Sequence, residues 1–434
     1  MKQTIAVLDK KGGNTTLSAQ DNQCCLRFEE TTTIIFDGIV YLPIPDSSGA
    51  KIIAQRLQKV DRFKASETFL KEVEGDFAFM IVGPERIIAG RDPVGVQPLY
   101  YGETKNIVAL ASNRRALWKL GVEEARSFPP GHLALITREG FKFKPVKTLV
   151  YQEPKQVGMK DAAETLQKLL EKAVYSRISG AKDVAVAFSG GLDSSVVAFL
   201  AKKCEANVNL VHVSLEDQPE TEDAKKAADA LNLPLHIYLF KEKDVEQVVP
   251  KVVELIEEAD PINASIGVPF YWAAEKTAEL GFRVMLAGQG ADELFGGYQR
   301  YVNEYTLREG EAVRKTMFDD VVRIHENNLE RDVKICSFHN VDLRVPFGSF
   351  QIAEFAMALP LELKIERHAD TLRKLVLRKA AENMGMPTSV TNKPKKAVQY
   401  STGINNSLKK IAKKQKATLA EYVKNLLLNQ AKQN

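Results

Sequence analysis

A chain of 434 residues is long enough for two or three domains, each with its own core. Its 44% hydrophobic and 27% charged content is that of an ordinary globular protein, and a formal charge of +4 over this length gives no global attraction to nucleic acid. Cys24, Cys25, Cys204 and Cys336 form no CxxC pair and share no metal-ligand spacing with the histidines; this fits a reducing cytoplasm and argues against structural zinc. The opening "MKQTIAVLDKKGG" holds only "IAVL", too short for the apolar region of a signal peptide, and no apolar stretch reaches the length of a membrane span. The reading is a soluble, cytoplasmic protein with no membrane attachment.

Residues 1–150 read as a β-rich domain. Short apolar runs ("TIAVL", "TTTIIF", "DFAFMIV", "RIIAG", "IVALAS", "HLALIT") alternate with turn chemistry such as "KKGGN", "PDSSG" and "FPPG". One helix is expected in this part, around "AKIIAQRLQKV". The stretch "VYQEPKQVG", Val150 to Gly158, lacks periodicity and reads as a linker.

Residues 159–434 read as a second domain of different character. "DAAETLQKLLEKAVYSRI" is amphipathic at helical spacing. Strand "VAVAF", a helix from about Asp193, strand "NVNLVHV", helix "TEDAKKAADALN", strand "LPLHIYLF" and helix "VEQVVPKVVELIEE" follow, with a further strand at "RVMLA". Such alternation implies right-handed crossovers and a doubly wound parallel sheet, whose ligands lie at the carboxyl ends of the strands. From about Tyr298 the chain reads as mostly helical.

The junction "VAVAFSGGLDSSVVAFL", Val184 to Leu200, carries the first chemical signal. Paired glycines let backbone approach a ligand, and the helix that follows aims unpaired N–H groups and a partial positive charge at it. The spacing therefore points to an anion, and phosphate above others. It is not a Walker A loop, because no lysine follows the glycines. "GQGADELFGGY" also sits just past a strand end, so the two loops are expected to share one crevice.

"FSGGLDSS", "LAGQGADELFGGY", "VDLRVPF" and "NKPKKAVQYSTG" together resemble the asparagine synthetase family, and the first resembles the signature of the wider N-type ATP pyrophosphatases. "GDFAFMIV", "GRDPVGVQPLYYG" and "FPPGHLALI" look like that family's glutaminase-type Ntn domain. The resemblance implies an Ntn-like α+β sandwich before the α/β domain. It also implies an amide ligase that cleaves ATP to AMP and pyrophosphate.

Chemistry agrees with that implication. A carboxylate has no good leaving group until it attacks the α-phosphorus of ATP and becomes an acyl-adenylate. Ser189, Gly190, Gly191, Asp193 and Ser194 supply hydroxyls and N–H groups for the phosphates, and Gly288 and Gly290 let the second loop pack closely. Mg2+ takes oxygen ligands, and the family assigns metal to the acids matching Asp193 and Asp292. An acid at a helix start is otherwise a capping residue, and glycines of this kind also make plain turns.

For the second half-reaction the resemblance implies Asp342 as base and Lys395 as the cation that stabilises the intermediate. The family usually carries Glu at the first position, and tends to carry Asp where this chain has Val333, with Asp332 adjacent. A salt bridge to Arg344 is the alternative for Asp342, and a solvated basic loop the alternative for Lys395.

Glutamine-using relatives begin Met-Cys-Gly, whereas this chain begins "MKQ"; Lys2 is protonated near neutrality and cannot stand in for a thiolate. The family's glutamine-gripping F-N-G-E-x-Y reads "FDGIVY", with Asp37 for Asn and Ile39 for Glu, which removes a charge-assisted contact. The segment between Asp9 and Phe36 is too short for the usual arginine-bearing loop. The expectation is a degenerate glutaminase domain on a ligase with ATP and Mg2+ as cofactors and aspartate and ammonia as substrates. A separate glutaminase subunit could deliver the ammonia, and a homodimer is compatible with the family. A β-lactam-synthetase-like cyclase and a non-catalytic nucleotide-binding scaffold are the alternatives. The basic run "LKKIAKKQKATLAEYVKNLLL" reads as a solvated helix face, with no contact to nucleic acid expected.

Overall fold

The apolar runs of the first third pair into two antiparallel sheets. β1 (Thr4–Asp9), β2 (Thr15–Ala19), β7 (Tyr100–Glu103), β8 (Ile107–Ala111) and β9 (Arg126–Ser127) lie in the order β2-β1-β8-β7-β9. β3 (Cys25–Glu29), β4 (Thr32–Leu42), β5 (Glu74–Val82), β6 (Ile87–Arg91), β10 (His132–Thr137) and β11 (Gly140–Pro145) lie in the order β11-β10-β6-β5-β4-β3. The computed structural model describes residues 4–19, 25–42, 48–367, 372–393 and 402–431, and divides into two units, Met1–Leu149 and Val150–Asn434.

Alternation along the strands sorts the side chains of the first unit into layers. Ala6, Leu8, Val108 and Leu110 of one sheet meet Ile35, Met80 and Ala134 of the other in a dry interior. The far face of the six-stranded sheet, with Phe36, Phe77 and Phe79, packs beneath α1 (Gly49–Leu57) and α2 (Arg62–Glu72). The five-stranded sheet buries Tyr100 and Ala109 beneath α3 (Arg114–Lys119). β5 is thus covered on both faces, which is why "FAFMIV" is a continuous apolar run. The sequence expectation of a single helix here is corrected: α2 and α3 are additional, started by Asp61 and Asn113, whose side chains accept from backbone N–H groups of the first turn.

The second unit opens with α4 (Met159–Ile178) and continues through β12 (Asp183–Ala187), α5 (Leu192–Lys203), β13 (Asn207–Leu215), α6 (Glu220–Leu231), β14 (Leu235–Phe240), α7 (Glu242–Ile256), α8 (Pro261–Glu279) and β15 (Val284–Leu286). A short strand, β16 (Asp342–Arg344), completes a parallel sheet in the order β14-β13-β12-β15-β16. The chain winds outward from β12 to β14 and then returns to the other side at β15. The direction of winding therefore reverses between β12 and β15, and the crevice at such a reversal is where ligands bind. α8 and β16 were not anticipated from the sequence.

Beyond β15 the described residues are mostly helical, and β16 is the only strand among them. The basic run near the end is two helices, Ile404–Lys414 and Leu419–Ala431, separated by a turn in which Lys416 has φ 56°. Leu408 and Ile411 face inward, while Lys410 and Lys414 pair with Glu242 of α7. No helix among the described residues is long and apolar enough to cross a membrane.

Candidate active site

β12 delivers the chain to Phe188, whose N–H donates to Val211 O of β13, and then turns at Ser189 and Gly190 into the first turn of α5. Ser194 Oγ sits in the mouth of this turn, 3.4 Å from Ser189 N, 3.3 Å from Ser189 Oγ and 3.3 Å from Gly191 O. Gly191 N is 3.3 Å from Ser189 Oγ. All four contacts are long and weak, so the loop's donors are only loosely committed and an anion can take them over.

The two glycines have different tasks. Gly190 has φ +67°, and a Cβ there would stand 2.6 Å from Ala224 Cα of α6. Its bareness serves the packing of the loop on α6. Gly191 meets only the Ser189 hydroxyl, at 3.3 Å, leaving its open side to a ligand. Gly190→Ala is expected to combine left-handed strain of about 1–2 kcal/mol with a backbone clash, and to abolish ATP binding. Calorimetric titration with ATP beside a thermal melt checks this; undiminished ATP affinity would show that the loop does not need its present shape.

The second loop touches the first. A Cβ on Gly288 would lie 2.8 Å from Asp193 Cβ and 2.9 Å from Ser194 N, so the backbone after β15 runs directly against the first turn of α5. α9 (Ala291–Phe295) then carries Asp292 into the crevice. Gly290 is in the left-handed region at φ +94° and faces Phe347 and Ile324, so it makes the turn and does not line the crevice.

Asp193 and Asp292 converge on one point, and that point is held by the ammonium of Lys374. Its Nζ lies 2.5 and 2.6 Å from the two Asp193 oxygens and 2.6 Å from Asp292 Oδ1. A pair of carboxylates gathered round a single cation fits Mg2+, which commonly takes one or two carboxylates and fills its remaining positions with phosphate and water oxygens. No cluster of three or more histidine, cysteine or acidic side chains suited to a metal exists among the described residues, so phosphate would have to complete the set.

One wall of the crevice is apolar (Val211, Val213, Ile266, Pro269, Phe270) and suits a flat aromatic base. His212 lies there with Nδ1 2.9 Å from Phe188 O and Nε2 3.2 Å from Thr221 Oγ1, and burial pushes its pKa below the usual histidine value. Gln289, Tyr298, Asn328 and Arg331 add a polar part to the lining, with buried acids behind them. Gln289 Nε2 donates to Asp332 Oδ2 at 2.6 Å, and Arg331 grips the same carboxylate through Nε at 2.7 Å and Nη2 at 3.1 Å. Burial pushes the Asp332 pKa up against the pull of Arg331. Glu293, buried, accepts from Tyr298 at 2.5 Å and Asn328 at 2.6 Å; burial and the neighbouring Asp292 raise its pKa. Gln289, Arg331 and Lys374 were not found by sequence reasoning; Asp332 was noted only as a neighbour of Val333.

Ser189, Asp193, Ser194, Gly288 and Asp292 are thus brought to one crevice, with Gly191 beside it. Asp342 is not. It stands at the amino end of β16, opposite Val284, while the crevice lies past the carboxyl ends of the strands, and Arg344 Nε holds its carboxylate at 2.8 Å. The salt bridge to Arg344 is thus present. Lys395 lies outside the described residues; Lys393 donates to Gly190 O of the phosphate-type loop at 3.1 Å.

A parallel sheet with a serine–glycine loop, a paired-acid cation site and an apolar wall at its winding reversal defines a nucleotide-using α/β enzyme. Residues 165–311 and 304–433 match the asparagine synthase family, and residues 44–119 match the glutamine amidotransferase domain. The relative named asparagine synthetase (glutamine-hydrolysing) 1 of Methanocaldococcus jannaschii is 32% identical over 80% of this chain and 73% of its own length. Asparagine synthetase (glutamine-hydrolysing) 2 of Arabidopsis thaliana is 27% identical over 93% of this chain and 71% of its own. The chain belongs to the asparagine synthetase family of ATP-dependent amide ligases.

Proposed function

We propose that this chain is an AMP-forming ligase that joins ammonia to the side-chain carboxylate of aspartate without hydrolysing glutamine itself. The observation that carries the reading is the convergence of Asp193 and Asp292 on one cation beside the serine–glycine loop. A carboxylate oxygen of the substrate attacks the α-phosphorus of ATP, the bond to the β-phosphate oxygen breaks, and pyrophosphate leaves. Ammonia then adds to the acyl carbon, and the acyl–oxygen bond breaks to release AMP.

Ser189, Gly191 and Ser194 present their hydroxyls and N–H groups to the leaving pyrophosphate, and the α5 N-terminus adds its dipole. Mg2+ held by Asp193 and Asp292 would neutralise charge on the phosphate oxygens. Gly190 and Gly290 act indirectly, shaping their loops. Lys395, by family resemblance, stabilises the oxyanion of the second step. The family resemblance assigns Asp342 as the acceptor of the proton that ammonia gives up; here its carboxylate lies 2.8 Å from Arg344 Nε.

The first domain, residues 1–150, is proposed as a degenerate glutaminase preceding the synthetase domain, residues 159–434. Ile39 stands on β4 where the family's acid would meet an α-amino group, and the nearby buried Asp76 is bonded by the Tyr41 hydroxyl at 2.8 Å. Ammonia therefore comes from solution or from a separate glutaminase subunit, in a cytoplasmic enzyme. The test is pyrophosphate release from Mg-ATP with a panel of carboxylates, each with ammonium and separately with glutamine. Aspartate-dependent release yielding asparagine with ammonium alone is expected. Turnover with glutamine would overturn the account of the first domain, and release with a different carboxylate would overturn the substrate.

A further inference from the structure

Lys374 is a buried lysine with an expensive backbone. Its side chain is 2% exposed, and its φ of 61° and ψ of 44° put it in the left-handed region at the start of the helix Leu375–Asn383, where a non-glycine residue costs on the order of 1–2 kcal/mol. A berth is cut for it: a Cβ on Gly297 would stand 2.4 Å from Lys374 Cε and 1.8 Å from Asp292 Oδ1. The strained residue, the first acid, and the second acid with its nearby glycine come from three separate parts of the chain and serve one contact.

The two carboxylates are mostly buried, with side chains 15% and 19% exposed. Like charges held this close repel unless a cation lies between them. The Lys374 ammonium is that cation, at 2.5–2.6 Å from their oxygens. Mg2+ binds oxygen at about 2.0–2.1 Å, so it would sit at nearly the same point. Ammonium and metal exclude each other there.

We propose that Lys374 is a resident surrogate for the metal, holding the acids in place while no nucleotide is bound and yielding only when nucleotide arrives. This rests on the reading of Asp193 and Asp292 as the metal acids. A divalent ion entering alone must strand a buried ammonium without an anion. When a triphosphate enters along the serine–glycine loop, its oxygens supply both the metal's missing ligands and a new partner for the lysine. Metal and nucleotide are then taken up together, and the affinity of the ion alone is lowered by the fraction of molecules in which the lysine holds the site.

The test uses the full chain with Mn2+ as the spectroscopic probe, measured by electron paramagnetic resonance with and without a non-hydrolysable ATP analogue. The native protein is expected to bind Mn2+ weakly alone and about 100-fold more tightly with the analogue. Lys374→Met is expected to bind Mn2+ without nucleotide at least tenfold more tightly than the native chain, and to gain melting temperature on adding Mn2+ where the native protein does not. Lys374→Gln, closer in length and polar, is expected to follow Lys374→Met and serves if that variant fails to fold. Lys374→Arg keeps a cation and is expected to keep binding weak. Equal Mn2+ affinity in native and neutral variants, with uptake still promoted by the analogue, would overturn the surrogate role alone. Failure of every protein to take up Mn2+ with the analogue would instead remove the metal site, and the inference with it.

Discussion

Asp292→Asn is expected to lower aspartate- and ammonium-dependent pyrophosphate release by about 10²–10³-fold, the size of effect found when one preorganised charge-stabilising group is lost. The fold should survive the change. Lys374 keeps both oxygens of Asp193, so no buried ammonium is left without an anion. Asparagine has the same shape as aspartate, so the tight approach to Gly297 is preserved. What goes is the second negative charge on the cation point, with the metal affinity that depends on it. Steady-state pyrophosphate release, read beside a thermal melt, separates the two effects. A near-native rate with an unchanged melt would remove Asp292 from the chemistry.

Lys334→Met is expected to destabilise the second unit by about 3–5 kcal/mol, through the cost of taking the ammonium away from a buried carboxylate. Lys334 is 3% exposed; its Nζ lies 3.0 Å from Glu257 Oε2 and 3.2 Å from Ile256 O. Glu257 is 3% exposed and closes α7 with φ 58°, so its carboxylate cannot swing into solvent without unmaking the helix end. Methionine matches the volume but brings no charge. Adding Glu257→Gln removes the buried charge that the ammonium had faced, and the double variant is expected to recover a large part of the loss. Urea unfolding of the native chain, both single variants and the double gives the coupling energy. Additive effects would show that the pair acts as two independent groups.

The parts of the fold that were legible in sequence are those where contrast was printed in the residues. "VAVAFSGGLDSS" reads as strand, turn and helix because an apolar run stops at residues that only a turn or a ligand wants, and the loop lies where that reading put it. α8 escaped for the opposite reason. "PINASIGVPFYW" is apolar on nearly every side, and α7, the helix Glu330–Phe338 and β13 surround it, so there is no polar face to set the period. β16 has only three residues, too few for any pattern. Without that strand the sequence could not say that Asp342 would stand opposite Val284 at its start. Lys374 shows the deeper limit. It is one basic residue in a charged stretch, and its meaning depends on acids 82 and 181 positions earlier, brought to it only by the closed fold.

The segment expected to be a linker bears on where the molecule can be divided. Arg314 Nη2 donates to Gln152 O at 2.6 Å, and Lys155 N donates to Ala358 O at 2.9 Å, so Val150–Gly158 is stitched into the second unit once through a side chain and once through main-chain atoms alone. A fragment begun at Met159, where regular structure starts, would sever both stitches and expose the patch beneath them. One begun at Val150 would keep them. The natural seam for exchanging the first unit with that of another protein therefore falls at Leu149, a whole segment earlier than the helix pattern suggests.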